Sequence, residues 1–193
     1  MDDTNAASRY PGGLLSAWDP QLPAGRIDRL YLHWSAGNYQ DVFPAYHFCV
    51  ATDADGNVVV CQTNDIESNM RDVRRDPQAP YAAHTRGRNS FALGLSIMAM
   101  KDATPHDFGD YPLTDALLEG LCVVSARLAR FYAIPIDEEH VLTHAEAALS
   151  EGYFGRGQHQ RWDIARLAPA SQPLETGEAG NVGSWLRSRI QMH

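Results

Sequence analysis

The chain has no surplus of positive charge. Sixteen Lys and Arg stand against 24 Asp and Glu, for a net charge of −8. A nucleic-acid partner would need a basic footprint, so that class is excluded. The same balance argues against simple electrostatic adhesion to an anionic surface. No apolar run approaches the length of a membrane span. The start, Met1-Asp2-Asp3-Thr4, lacks the basic residues and apolar stretch of a signal peptide. The expectation is a cytoplasmic protein, or one released by lysis or a non-classical route. Cysteine is scarce: Cys49, Cys61 and Cys122 are too few and too odd in number for a disulfide scaffold. If residues 53–56 form a hairpin turn, Cys49 and Cys61 point to opposite faces, and only a one-residue bulge would bring them together. Mostly buried thiols are expected. There is no His-Glu-x-x-His, no paired Cys-x-x-Cys, no internal repeat and no low-complexity tract.

What is present suits one globular domain: 193 residues, 44% of them hydrophobic. Residues 1–27 hold Pro11-Gly12-Gly13, Pro20 and Pro23 and read as an irregular arm. Residues 30–34 alternate as a strand and end at Ser35-Ala36-Gly37, a turn signal. Residues 46–52 and 57–62 form the arms of a hairpin. Residues 63–80 read as a long loop, the kind that often borders a site. The apolar run 91–100 is a strand buried on both faces. After Pro112, Thr114 caps a helix whose inner face is Leu117, Leu121, Val124, Leu128 and Phe131, and Pro135 ends that unit. Residues 141–143 are a short apolar entry to His144. Residues 168–180 look like a linker, with Asn181 capping a short last helix through Trp185, Leu186 and Ile190. The order predicts an α/β fold, a single domain with a central mixed sheet flanked by helices. The divisions are an arm over 1–27, a catalytic domain over 28–167, and a linker with a short helix over 168–193.

Of eight histidines, two stand out by context. His33 ends a strand just before a small-residue turn. His144 follows a short apolar run. Asp163 adds an acid among bulky neighbours, after Arg161-Trp162. Two imidazoles and one carboxylate make a catalytic zinc set, with a fourth position for water whose pKa the metal lowers to about 7. His106, His140, His159 and His193 are expected to be exposed.

Several blocks in order along residues 28–167 resemble the N-acetylmuramoyl-L-alanine amidase family. That family includes amidase-type phage lysozymes, recycling amidases and peptidoglycan recognition proteins. The blocks are Leu32-His33-Trp34-Ser35-Ala36-Gly37; Tyr46-His47-Phe48 with Asp55-Gly56-Asn57-Val58; Ala83-His84-Thr85-Arg86-Gly87-Arg88-Asn89 running into Leu93-Gly94-Leu95-Ser96; Val141-Leu142-Thr143-His144-Ala145-Glu146; and Arg161-Trp162-Asp163-Ile164. The resemblance implies an amidase or peptidoglycan-recognition-like fold and a Zn2+ ion on His33, His144 and Asp163. It implies a polarising cation at Arg161, where many relatives carry lysine. His84 and Asn89 have two readings, as lining of the muropeptide-binding groove or as residues that bond loop backbone. Where some relatives carry an acidic base on the central strand, this chain has Ser96. The proton-transfer role therefore falls to Tyr46 or Glu146, or to the metal-activated water itself. Glu146 has a second reading, as a support for His144. The segment 151–157 is an insert expected to wall the cleft.

The implied reaction is hydrolysis of the amide between N-acetylmuramic acid and L-alanine, in peptidoglycan or its fragments. The rival is a non-catalytic peptidoglycan-recognition module. Such modules commonly lose a ligand, whereas this chain keeps all three. A phage lysin or antibacterial effector would use the same chemistry in another role.

Overall fold

The computed structural model describes residues 20–155 and 161–193. Five strands form one mixed sheet: β1 (Arg29–Trp34), β2 (Phe48–Thr52), β3 (Val58–Gln62), β4 (Ala92–Ile97) and β5 (Val141–Thr143). Their order is β3-β2-β4-β1-β5. Only the β2–β3 pair is antiparallel; β4 runs parallel to β1 and β2, and β5 parallel to β1. The helices are α1 (Asp115–Tyr132), α2 (His144–Ser150) and α3 (Thr176–Ile190). This is the α/β single domain with a central mixed sheet that the sequence predicts. The arm's first 19 residues lie outside the described residues.

Alternation along the strands gives the sheet two different faces. One carries Leu30, Leu32, Trp34, Phe48, Val50, Val60, Leu93, Leu95 and Ile97, which pack with α1 and α3 into the main core. The run over β4 is buried on both faces, as expected of a central strand. The Thr114 hydroxyl accepts from Leu117 N–H at the start of α1, a cap worth about 1 kcal/mol. Ala133 closes the helix in the left-handed region at φ 54°, two residues before Pro135. Leu117, Leu121, Val124 and Leu128 face the core as the spacing predicts. Phe131 does not: it is 52% exposed in the last turn, where its ring lies against that of Tyr132.

Two further expectations give way to local chemistry. The last helix begins at Thr176, not near 181. The Glu175 carboxylate and the Glu178 carboxylate make a reciprocal capping box there, a start signal hidden inside a stretch that composition marks as a linker. Ala179, Leu186 and Ile190 reach the main core, while Trp185 is exposed. In the hairpin, Thr52 pairs with Val58 and Asp53 N–H donates to Asn57 O, so the connection is one residue longer than expected. That shift places Cys49 directly opposite Cys61 on one face. The expected burial of the three thiols holds.

Candidate metal centre

The second face of the sheet builds the site. His33, next to last in β1, pairs in register with Ser96 of β4, which is in turn aligned with Cys49 of β2. Each of the three ligand candidates is fixed by its own local device. His33 sits in the strand between β4 and β5 and is fully buried. His144 is the first residue of α2, right after Thr143. The Thr143 hydroxyl accepts from Glu146 N–H, and the Glu146 carboxylate accepts from Thr143 N–H. Asp163 is held from both sides. Its carbonyl accepts from Ala145 N–H at 2.6 Å, and the neighbouring Trp162 packs edge-on against Trp34 with ring centroids 4.5 Å apart.

These devices bring the side chains to one point. Asp163 Oδ2 lies 3.0 Å from His33 Nδ1 and 3.1 Å from His144 Nδ1. One ligand atom from each residue falls within 4.8 Å of the other two. A tetrahedral zinc site, with bonds of about 2.0–2.2 Å, puts neighbouring ligand atoms roughly 3.3 Å apart. Two imidazole nitrogens and a carboxylate at this spacing fit that ion.

The outer nitrogens of both rings also have partners. His33 Nε2 lies 3.2 Å from Thr85 Oγ1, and His144 Nε2 lies 3.2 Å from the Tyr153 hydroxyl. Such contacts set which ring nitrogen carries the proton and hold the ring's orientation. Thr85 and Tyr153 were not singled out from the sequence. Thr85 follows His84 directly in the sequence, and Tyr153 lies in the segment 151–157. The rest of that insert, residues 156 and 157, lies outside the described residues.

Burial lowers the pKa of His33 to about 4, against the pull of its hydrogen bond to Asp163. Burial works against ionised Asp163, but its contacts with His144 and His33 outweigh it and hold the carboxyl well below the usual range. Tyr46 packs on the His33 ring with centroids 5.0 Å apart. Burial, then the Asp163 charge, raises its pKa, while a hydrogen bond with Ser96 opposes the shift. Its hydroxyl stays protonated near neutrality. Arg161 is exposed, with φ 42°. Its charge contributes at His33, Tyr46 and Tyr153, behind the larger effect of burial at each.

Three further expected site residues make their polar contacts with neighbours of the ligand candidates, in keeping with the second reading of Glu146 as a support and of His84 and Asn89 as loop-bonding residues. Glu146 turns away from the ligands: its carboxylate takes Thr143 N–H at 2.8 Å and Arg187 Nη1 at 3.0 and 3.1 Å. Gly183 of α3 leaves room for it, since a Cβ there would collide with the carboxylate. Asn89 is buried, and its side-chain oxygen accepts from the backbone N–H groups of His84 and Thr85. His84 is buried beneath the site, its ring over Gly94, where any Cβ would strike it. His84 Nδ1 contacts Thr85 Oγ1 at 3.0 Å. Both residues thus shape the loop that delivers Thr85. Among the remaining histidines, His106 and His193 are exposed, His140 is half-buried against Asp137, and His159 lies outside the described residues.

No family model matches the chain, and no curated protein matches it. Among solved structures, the chain is similar to the N-acetylmuramyl-L-alanine amidase AmiD from E. coli, determined in complex with anhydro-N-acetylmuramic acid-L-Ala-D-γ-Glu-L-Lys. The identity is 16%, the TM-score 0.43, and the match covers 66% of this chain and 51% of that one. The chain therefore spans about half the length of that structure. No described helix is long and apolar enough to cross a membrane.

Proposed function

We propose that the chain is a zinc-dependent amidase that hydrolyses the bond between N-acetylmuramic acid and L-alanine in peptidoglycan or its fragments. The observation that carries this reading is the convergence of one ring nitrogen each from His33 and His144 with an Asp163 oxygen, all within 4.8 Å of one another. The resemblance of the blocks around these residues supplies the substrate class. A zinc ion held by this set supplies Lewis acidity and a nucleophile at neutral pH.

The chain's own residues divide the rest of the work. Water adds to the lactyl carbonyl carbon, the C–N bond breaks, and the alanine nitrogen takes a proton. Arg161, exposed and two residues before Asp163, would stabilise the oxygen on which charge builds. Tyr46, protonated and against the His33 ring, donates a hydrogen bond toward the reacting groups; its raised pKa suits a donor and not a base. Glu146 acts through His144, by tying the first turn of α2 to Arg187 of α3. His84 and Asn89 act through the loop that carries Thr85.

Incubation with a soluble muramyl peptide, followed by mass spectrometry, tests the reading. Release of the free L-alanyl peptide, abolished by a chelator and restored by zinc, is the expected result. Saturable binding with the substrate left intact would favour the recognition module instead.

A further inference from the structure

The register of the hairpin sets up a pair of thiols that the proposed hydrolysis does not use. Asp53 N–H donates to Asn57 O, and Thr63 N–H donates to His47 O. In an antiparallel ladder such hydrogen-bonded pairs recur at every second residue, so Cys49 and Cys61 form one of them. Facing residues of this kind have Cα atoms about 5.5 Å apart, inside the Cα span of a disulfide, while their Cβ atoms must draw together by roughly 1 Å to be bridged, a movement that the edge position of β3 allows. Both side chains project from the same face into a small cluster with Ala51, Val59 and Met98. Cys122 lies in the main core, with α1 on the other side of the sheet. The pairing is thus unambiguous.

We propose that Cys49 and Cys61 are a latent cross-strand disulfide, formed when the protein meets a disulfide oxidant. The proposal is independent of the amidase reading. β3 is an edge strand, paired only with β2, so fraying of this edge exposes Cys61 first. The Cys61 thiolate attacks the oxidant's sulfur, forms a mixed disulfide and expels one thiolate. Cys49 then attacks the Cys61 sulfur and expels the second thiolate. The two cysteine protons end on the two leaving groups, so one disulfide and two thiols become one disulfide and two thiols, with both electrons passed to the oxidant. Burial pushes the Cys49 thiol up to about 11, so exchange is slow in the closed hairpin and proceeds when the edge opens.

The bridge would stand beside the metal site. Thr63 Oγ1 donates to Tyr46 O at 2.6 Å, Asn64 Nδ2 donates to the same oxygen, and Tyr46 packs against the thiol cluster. Closing the hairpin covalently fixes the start of β2, which the bend carrying Tyr46 leads into.

The intact protein is incubated with oxidised glutathione, denatured in excess alkylating agent, and analysed by intact mass and peptide mapping. A parallel sample is refolded from the reduced, denatured state in the same buffer, so that slow opening of the hairpin cannot hide the product. Three alkylatable thiols should fall to one, with the mass lower by two hydrogens and residues 49 and 61 in one linked peptide. Cys122→Ser should still lose two hydrogens; Cys49→Ser should stop at a glutathione adduct. Three reactive thiols after both treatments, a lasting mixed disulfide in the wild type, or a link through Cys122 or to a second copy would overturn the proposal.

Discussion

Thr85 Oγ1 lies 3.2 Å from His33 Nε2 and 3.0 Å from His84 Nδ1, so one hydroxyl joins two buried imidazoles. A hydroxyl accepts from one ring and donates to the other. With a metal ion bound, His33 donating from Nε2 would leave its Nδ1 lone pair for the ion on the Asp163 side of the site; without one, Nδ1 is placed to hydrogen-bond with Asp163.

Thr85→Val removes this link at nearly constant volume. Loss of such an outer partner typically lowers metal affinity about 10- to 100-fold. Thr85→Ser should retain most of the affinity. Competition for zinc against a chromophoric chelator measures both, and equal affinity in all three proteins would remove Thr85 from the site.

The Glu146–Arg187 pair should govern stability more than chemistry. Both side chains are almost entirely buried, and Arg187 also donates to Val141 O at 3.0 Å. Glu146→Ala leaves that guanidinium without its counter-charge, a loss of about 3–5 kcal/mol. Glu146→Leu with Arg187→Met should recover much of it. Denaturant unfolding checks the stabilities, and kcat per folded molecule should stay within a few-fold of wild type. A Glu146→Gln protein that is stable but inactive would restore the proton-transfer role.

Stability of the chelator-treated protein should fall as the pH drops below about 6.5. Burial depresses the pKa of His47 to about 3, and His84 is likewise held well below its ordinary value, first by burial and then by the neighbouring His47 and His33 rings. Folded, these rings stay neutral; unfolded, they take up protons near pH 6.5. Their stabilisation is therefore complete above that pH and is lost progressively toward pH 4, at about 1.4 kcal/mol per pH unit for each ring. Asp163, whose pKa is depressed, stays ionised across this window and adds its own loss only at lower pH, below the unfolded carboxyl value of about 4. Urea titrations at three pH values, on wild type and His47→Asn, should show a shallower slope in the variant. Parallel slopes would mean that His47 does not remain neutral.

Much of this site was legible because each ligand candidate sits at a boundary that local sequence marks. His33 precedes Ser35-Ala36-Gly37, and His144 follows the helix-capping Thr143. What was not legible depends on register or on distant partners. Whether Cys49 faces Cys61 turned on a single residue in the hairpin connection. Glu146 looked catalytic until Arg187, 41 residues away, claimed its carboxylate. Tyr153 gained a role only through the path that brings its hydroxyl to His144. The start of α3 was masked because its cap uses two glutamates in a stretch whose composition resembles a linker.

Arg161 should act on turnover. It is exposed beside the ligand set, so Arg161→Ala should retain zinc and bind substrate with KM nearly unchanged. Loss of an oxyanion-stabilising group typically costs about 100- to 1000-fold in kcat. Arg161→Lys should regain a good part, since a point charge serves there. Steady-state kinetics on a soluble muramyl peptide separate the two constants. A raised KM with unchanged kcat would make Arg161 a substrate anchor.

All of the proposed chemistry rests on a zinc ion held by His33, His144 and Asp163. Elemental analysis of the purified protein, alongside a His33→Ala, His144→Ala double variant shown to be folded by circular dichroism, tests it most directly. About one zinc per chain is expected in the wild type and close to none in the variant. A wild type without bound metal, or a variant that keeps its full complement, would contradict it.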